Sequence, residues 1–151
     1  MFSRRTIILI ILVVIVIVFI ISKGNDEQNN GTARVKIGDA IFIAEIADEE
    51  SERNKGLSNR ESLGEDNAML FLFEEKSKYT FWMKGMQFPL DLIWIDGGEV
   101  IGVSENLPPD NSINPDVYSP PDEVDKVLEV NAGQVENYNI KAGNKVEILL
   151  F

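Results

Sequence analysis

The first 22 residues show no alternation of apolar and polar positions. Ile7 to Ile21 is an unbroken run of Ile, Leu, Val and Phe, and with Thr6 and Ser22 it covers 17 residues. That is the short end of what crosses a hydrocarbon core as a single helix. Arg4 and Arg5 precede the run and only Lys23 follows it closely. The cytoplasmic bias of basic residues therefore puts residues 1–5 inside and all that follows the span outside. SKGNDEQNN, just after the run, offers no small-x-small cleavage pattern, which favours an uncleaved anchor over a removed signal peptide. Residues 23–32 contain no apolar side chain and form a flexible linker.

From Ala33 the pattern changes to short alternating stretches separated by turn residues. ARVKI (33–37), Gly38-Asp39 and AIFIAEIA (40–47) read as a hairpin with a two-residue turn. MLFLF (69–73), YTFWM (79–83), LDLIWI (90–95) and EVIGVSE (99–105) follow, the last two joined by Asp96-Gly97-Gly98. KVLEVN (126–131) and KVEILL (145–150) bring the number to about eight. Two short helices are expected. One begins at Glu49 after an Asp48 cap, has acids early and Arg53 and Lys55 late, and stops at Gly56. The other covers Ala132 to Tyr138 and stops at Asn139. The expected fold of residues 33–151 is mainly β: an antiparallel sandwich or barrel with one or two short helices, preceded by one N-terminal transmembrane helix. Between Glu105 and Asp125 lie five of the six prolines, so this segment reads as a long loop ordered by proline.

The absence of cysteine and histidine removes disulfides, thiolate chemistry and imidazole-based triads. Residues 33–151 hold 11 basic and 23 acidic side chains, a net charge of −12. Such a field repels phosphate backbones, so no nucleic acid is expected as a partner. The carboxylates of the proline-rich loop match no calcium-loop spacing and read as a solvated face. No cofactor or resident metal is expected.

The densest cluster of large side chains is FWMKGMQFPLDLIWID (81–96). Its Trp82, Lys84 and Asp91, with Arg60, are the candidate ligand-binding residues. Lys84 and Arg60 would face an anion, Asp91 would orient the ligand, and Trp82 would be its apolar platform. Glu45 and Glu129 each interrupt an apolar strand, and simple alternation puts either on the solvent face. Turned inward, Glu45 with Asp91 or Glu129 would form an acid/base pair of the kind that hydrolyses glycosides.

Several of these pieces, in this order, resemble the bacterial and archaeal family known as domain of unknown function 192. They are Ala47 with ERNKGL (52–57), Arg60 and Leu63, then MLFLF, FWMK and PLDLIWID, and finally KVLEVNAGQVENYNIKAGNKVEI (126–148). The resemblance implies a β-sandwich-like fold and makes export or membrane anchoring a common setting. It supplies no activity. Gly85-Met86 stands where members usually show Asn-Thr. Asp110 and Pro115-Asp116 lie where many members carry cysteines, so a redox or cysteine-metal role would not apply here.

The functional expectation is a membrane-anchored extracytoplasmic module for a small ligand or an envelope protein, with a binding or accessory role better supported than catalysis. The alternatives are a carboxylate-based hydrolase of envelope polysaccharide and a structural subunit of a membrane assembly.

Overall fold

The computed structural model describes residues 31–151. The expected cytoplasmic residues 1–5, the expected span at 6–22 and the expected linker as far as residue 30 lie outside the described residues. Among the described residues, no helix is long and apolar enough to cross a membrane.

The described residues form nine strands: β1 Thr32–Ile37, β2 Ala40–Ala47, β3 Asn67–Ser77, β4 Phe81–Trp82, β5 Leu90–Asp96, β6 Glu99–Leu107, β7 Val117–Tyr118, β8 Val124–Asn131 and β9 Val146–Leu150. Helix α1 is Glu50–Lys55 and α2 is Gln134–Asn137. Thr32, read as linker, already belongs to β1, paired with Glu45. The β1–β2 turn is the expected Gly38-Asp39 pair, since Ile37 faces Ala40 across it and Gly38 takes a positive φ of 58°. Helix α1 starts one residue later than expected. Glu49 is its N-cap, and Glu52 reaches back to accept the backbone N–H groups of Asp48 and Glu49.

The strands do not make a two-sheet sandwich. Seven of them form one sheet in the order β6-β5-β8-β3-β2-β1-β9, and β4 and β7 form a separate ribbon. Nor are they all antiparallel: β2 and β3 run parallel. The physical reason is the Asp48–Asp66 connection, which carries α1 and is long enough for a crossover. The sheet curls into a half-barrel until its two edges touch. There Val100 N–H donates to the Asn144 carbonyl at 2.9 Å, and Gly143 N–H donates to the Val100 carbonyl at 2.8 Å.

The curl divides the core in two. Val35, Phe42, Leu70, Ile93, Leu128 and Val130 fill its concave side. Leu57, Phe71, Met83, Leu92, Trp94 and Val127 pack on the opposite face, under α1, the loop after it and the β4–β7 ribbon. Central strands β5 and β8 are therefore covered on both faces, as the near-continuous burial of LDLIWI requires. Leu70 and Leu128 face each other across β3 and β8, both without exposed surface. Leu70→Ala should cost about 2–5 kcal/mol. Urea unfolding of the full chain in detergent is the check, and a loss under ~1 kcal/mol would mean this centre is looser than its burial implies.

Candidate functional site

One row of side chains crosses four strands on the face beneath α1: Glu45 on β2, Met69 on β3, Glu129 on β8 and Leu92 on β5. Both Glu45 oxygens accept from Arg60, at 2.5 and 2.6 Å from its two terminal nitrogens. This fork-on-carboxylate contact holds the Glu45 carboxyl below the usual range and raises the Arg60 guanidinium. The pair pins the loop after α1 to the sheet.

Glu129 has no such partner. It is only 6% exposed, and its Oε2 atom is buried without a hydrogen bond. Burial pushes its pKa up to about 8, with the nearby Arg60 charge acting in the opposite direction. At neutral pH this side chain is mostly a carboxylic acid.

Glu129 lies at the floor of a cavity of about 410 Å³. Phe71 and Phe73 of β3, Tyr79, and Phe81 and Trp82 of β4 supply its aromatic walls. Leu57 and Met86 add apolar surface, and Arg53 and Lys55 of α1 line it with Glu50. The rings are fixed by one another. Phe81 meets Phe71 edge-on at 4.9 Å and Trp94 at 5.6 Å, and Phe73 stacks on Tyr79 at 3.5 Å. Arg53 lies over Phe73, 5.4 Å from its centroid, and also donates to the Leu72 carbonyl at 3.1 Å. Trp82 keeps 56% of its surface exposed at the rim, with Lys84 5.9 Å above its ring.

Of the residues singled out from the sequence, Trp82 and Lys84 come together at this rim, and Glu45 with Arg60 flanks the same face. Asp91 is the correction. It lies opposite Val130, one step from Leu92, and therefore points to the concave side of the sheet. There it is fully buried, accepting from Asn106 N–H at 2.7 Å and Val135 N–H at 2.9 Å. It ties the end of β6 to the first turn of α2. As an acid/base pair, Asp91 is separated from Glu45 and Glu129 by the sheet itself. Glu45 and Glu129 share a face, but Met69 stands between them and Arg60 occupies both Glu45 oxygens. The cavity walls Phe71, Phe73 and Tyr79 were not anticipated as site residues. Met69, Phe71 and Phe73 share one face by strand alternation, and that was the available signal.

The proline-rich loop closes the outer side. Its Val117–Tyr118 pairs with Phe81–Trp82, and Val117 lines the cavity. Asp110 orders the loop by accepting the N–H groups of Ser112 and Asp116, both at 2.9 Å. Among the described residues, no group of three His, Cys, Asp or Glu side chains is placed to hold a metal ion.

Residues 33–148 match the family domain of unknown function 192, described as an uncharacterized ACR. The chain belongs to this family. No curated protein matches it. Among solved structures it is similar to a candidate transcription regulator from Sinorhizobium meliloti 1021, with 30% identity, a TM-score of 0.69 and coverage of 77% of this chain and 92% of that one. It is also similar to a protein of unknown function from Novosphingobium aromaticivorans DSM 12444, with 31% identity, a TM-score of 0.68 and coverage of 77% and 83%. In this member of the domain of unknown function 192 family, Gly85 follows Lys84 at a φ of 77°. Its carbonyl accepts from Asn59 N–H at 2.8 Å, which ties the rim to the loop after α1.

Two predictions follow from this geometry. Asp91→Ala would strand the buried Val135 N–H, at about 1–3 kcal/mol, and free the part-buried Asn106 N–H, whereas Lys84→Ala on the exposed rim should change unfolding energy by less than ~0.5 kcal/mol. Equal effects in urea titrations would contradict the placement of Asp91. For Glu129, a raised folded-state pKa means that the folded chain keeps a proton which the unfolded chain loses between about pH 4.5 and 8. Its contribution to stability is thus full below pH 4.5 and is lost as pH rises to 8, on the order of a few kcal/mol in all. Relative to Glu129→Gln, the native chain should weaken steadily across that window. A constant difference between the two at pH 5, 6, 7 and 8 would show an ordinary carboxylate.

Proposed function

We propose that this chain is a membrane-tethered, extracytoplasmic module that binds a small apolar ligand in the cavity beneath α1. One observation carries the reading: a cavity of about 410 Å³ walled by aromatic rings, with an unpartnered carboxyl at its floor and a largely exposed tryptophan at its mouth. Concave, mainly apolar sites with few polar groups are where small ligands bind. The tether rests on the apolar run at 6–22 and the Arg4, Arg5 and Lys23 asymmetry.

Trp82 keeps its proposed place as the apolar platform and Lys84 its place beside it. Glu129 replaces Asp91 as the orienting carboxyl. Arg60 acts through Glu45 and Glu129 and does not itself face the ligand. Nothing favours the polysaccharide hydrolase, because Asp91 opens on the other face of the sheet and Glu45 is bound at both oxygens. The description of the Sinorhizobium protein does not extend to this one, whose −12 charge over residues 33–151 opposes contact with a phosphate backbone. The assembly-subunit reading retains one point. Leu149, Leu150 and Phe151 are exposed beside Thr32, where β1 leaves the linker.

A thermal-shift screen of small aromatic and aliphatic compounds on the full chain in detergent tests the proposal. A ligand at a hundredfold excess over its Kd should stabilise by ~2.7 kcal/mol, and Trp82→Ala should lose most of that effect without losing the fold. Stabilisation that is equal in both chains would move the binding elsewhere. A stable oligomer that no compound affects would favour the assembly subunit. Protease accessibility of residues 33–151 in intact spheroplasts tests the topology, since protection there would place the domain inside.

A further inference from the structure

We infer that the cavity selects an uncharged ligand whose flat apolar body carries an oxygen acceptor, a carbonyl or ether, which Glu129 hydrogen-bonds as a carboxylic acid; this deepens the binding reading above and rests on it.

The floor of the cavity is polar at one point. Met69 and Leu92, the cross-strand neighbours of Glu129 on that face, carry no hydrogen-bonding hydrogens. Arg60 is close enough to act on Glu129 electrostatically, but it is turned onto Glu45 and none of its N–H groups bonds to Glu129 Oε2. Oε2 of Glu129 is thus left buried and unpartnered, a costly state unless something bound in the cavity completes it. A carboxyl kept neutral by an apolar site is a hydrogen-bond donor, and the partner it lacks is an acceptor.

An ammonium ligand is the obvious rival, since aromatic walls over a carboxyl attract cations. Here the chain already uses those faces itself. Arg53 covers Phe73 and Lys84 covers Trp82. Arg53 and Lys55 also line the cavity against a single opposing acid, Glu50, so an entering cation would meet a net like charge and would have to displace the proton of Glu129. A neutral molecule meets neither obstacle. An anion would meet the −12 field of the domain. Size points to a small ring system. A cavity of about 150 Å³ holds one benzene ring, so about 410 Å³ takes one or two rings between Phe71, Phe81 and Trp82.

The test uses three probes of one size: acetophenone with a carbonyl, ethylbenzene without oxygen, and phenethylammonium with a positive charge. The full chain in detergent is labelled with 5-fluorotryptophan. Its two tryptophans then give one signal at the cavity rim from Trp82 and one from Trp94 in the core. Acetophenone at pH 6.5 should move the Trp82 signal with a Kd at least tenfold below those of the other two. That preference should fade severalfold by pH 9.5 as Glu129 ionises. The other charged or titratable groups around the cavity are Glu50, Arg53 and Lys55 on α1, Arg60 with its partner Glu45, Tyr79, and Lys84 over the Trp82 ring. Glu129→Gln, which keeps a donor but does not titrate, separates Glu129 from them. It should retain the acetophenone preference at every pH, and Glu129→Leu should lose it while still binding rings. Tighter binding of phenethylammonium, equal binding of acetophenone and ethylbenzene, or affinity rising with pH would overturn the inference and leave ligand binding in the cavity standing. No response of Trp82 to any probe would overturn both.

Discussion

Double burial of β8 is the constraint on which the rest of the molecule depends. A strand at the centre of a curled sheet, with β3 on one side and β5 on the other, sends alternate side chains into two separate interiors. Leu128 and Val130 enter the concave core, and Val127 and Glu129 enter the layer beneath α1. Neither direction leads to water. An apolar residue at every position would have left the second layer without a polar point. Glu129 instead leaves a polar point where the aromatic side chains of β3 and β4 do not fill the space, and the cavity is the volume around it.

The same logic explains which features were legible in the sequence. The β1–β2 hairpin could be read almost to the residue, because its pattern depends only on alternation and on the two-residue Gly38-Asp39 turn. The β5–β6 hairpin at Gly97-Gly98 was legible for the same reason. Helix α1 was visible through its charge order and Gly56. The parallel β2–β3 pairing was not, since local pattern gives a strand its two faces but not its neighbour. Strand β7 is two residues in a proline-rich loop. Val117 and Tyr118 do favour strands, but two residues among prolines are too short a pattern to read, and the pairing depends on Phe81 and Trp82 from elsewhere in the chain.

The site was half legible. Trp82 and Lys84 stood out by chemistry and do share the rim. For Glu129 the alternation was right and the conclusion drawn from it was not. The residue does face away from Leu128 and Val130, but the face it reaches is roofed by α1 and the β4–β7 ribbon. Asp91 misled for a related reason. A carboxylate inside LDLIWI reads as functional because burial should exclude it, yet two backbone N–H groups from distant segments satisfy it. A buried acid whose partners are main-chain atoms leaves no trace in side-chain patterns.

The β4–β7 ribbon has a consequence of its own. It consists of two residue pairs outside the seven-stranded sheet, yet it carries Trp82 and Val117 on the outer wall of the cavity. Segments held by few contacts open far more often than the sheet they lean on. The ribbon is therefore the part of the cavity wall least tied to the sheet. Exchanges among the prolines and carboxylates of residues 108–123 act on that ribbon without replacing a residue of the seven-stranded sheet. If the cavity takes a ligand as proposed, the rate at which that ligand enters or leaves can change independently of the stability of the fold.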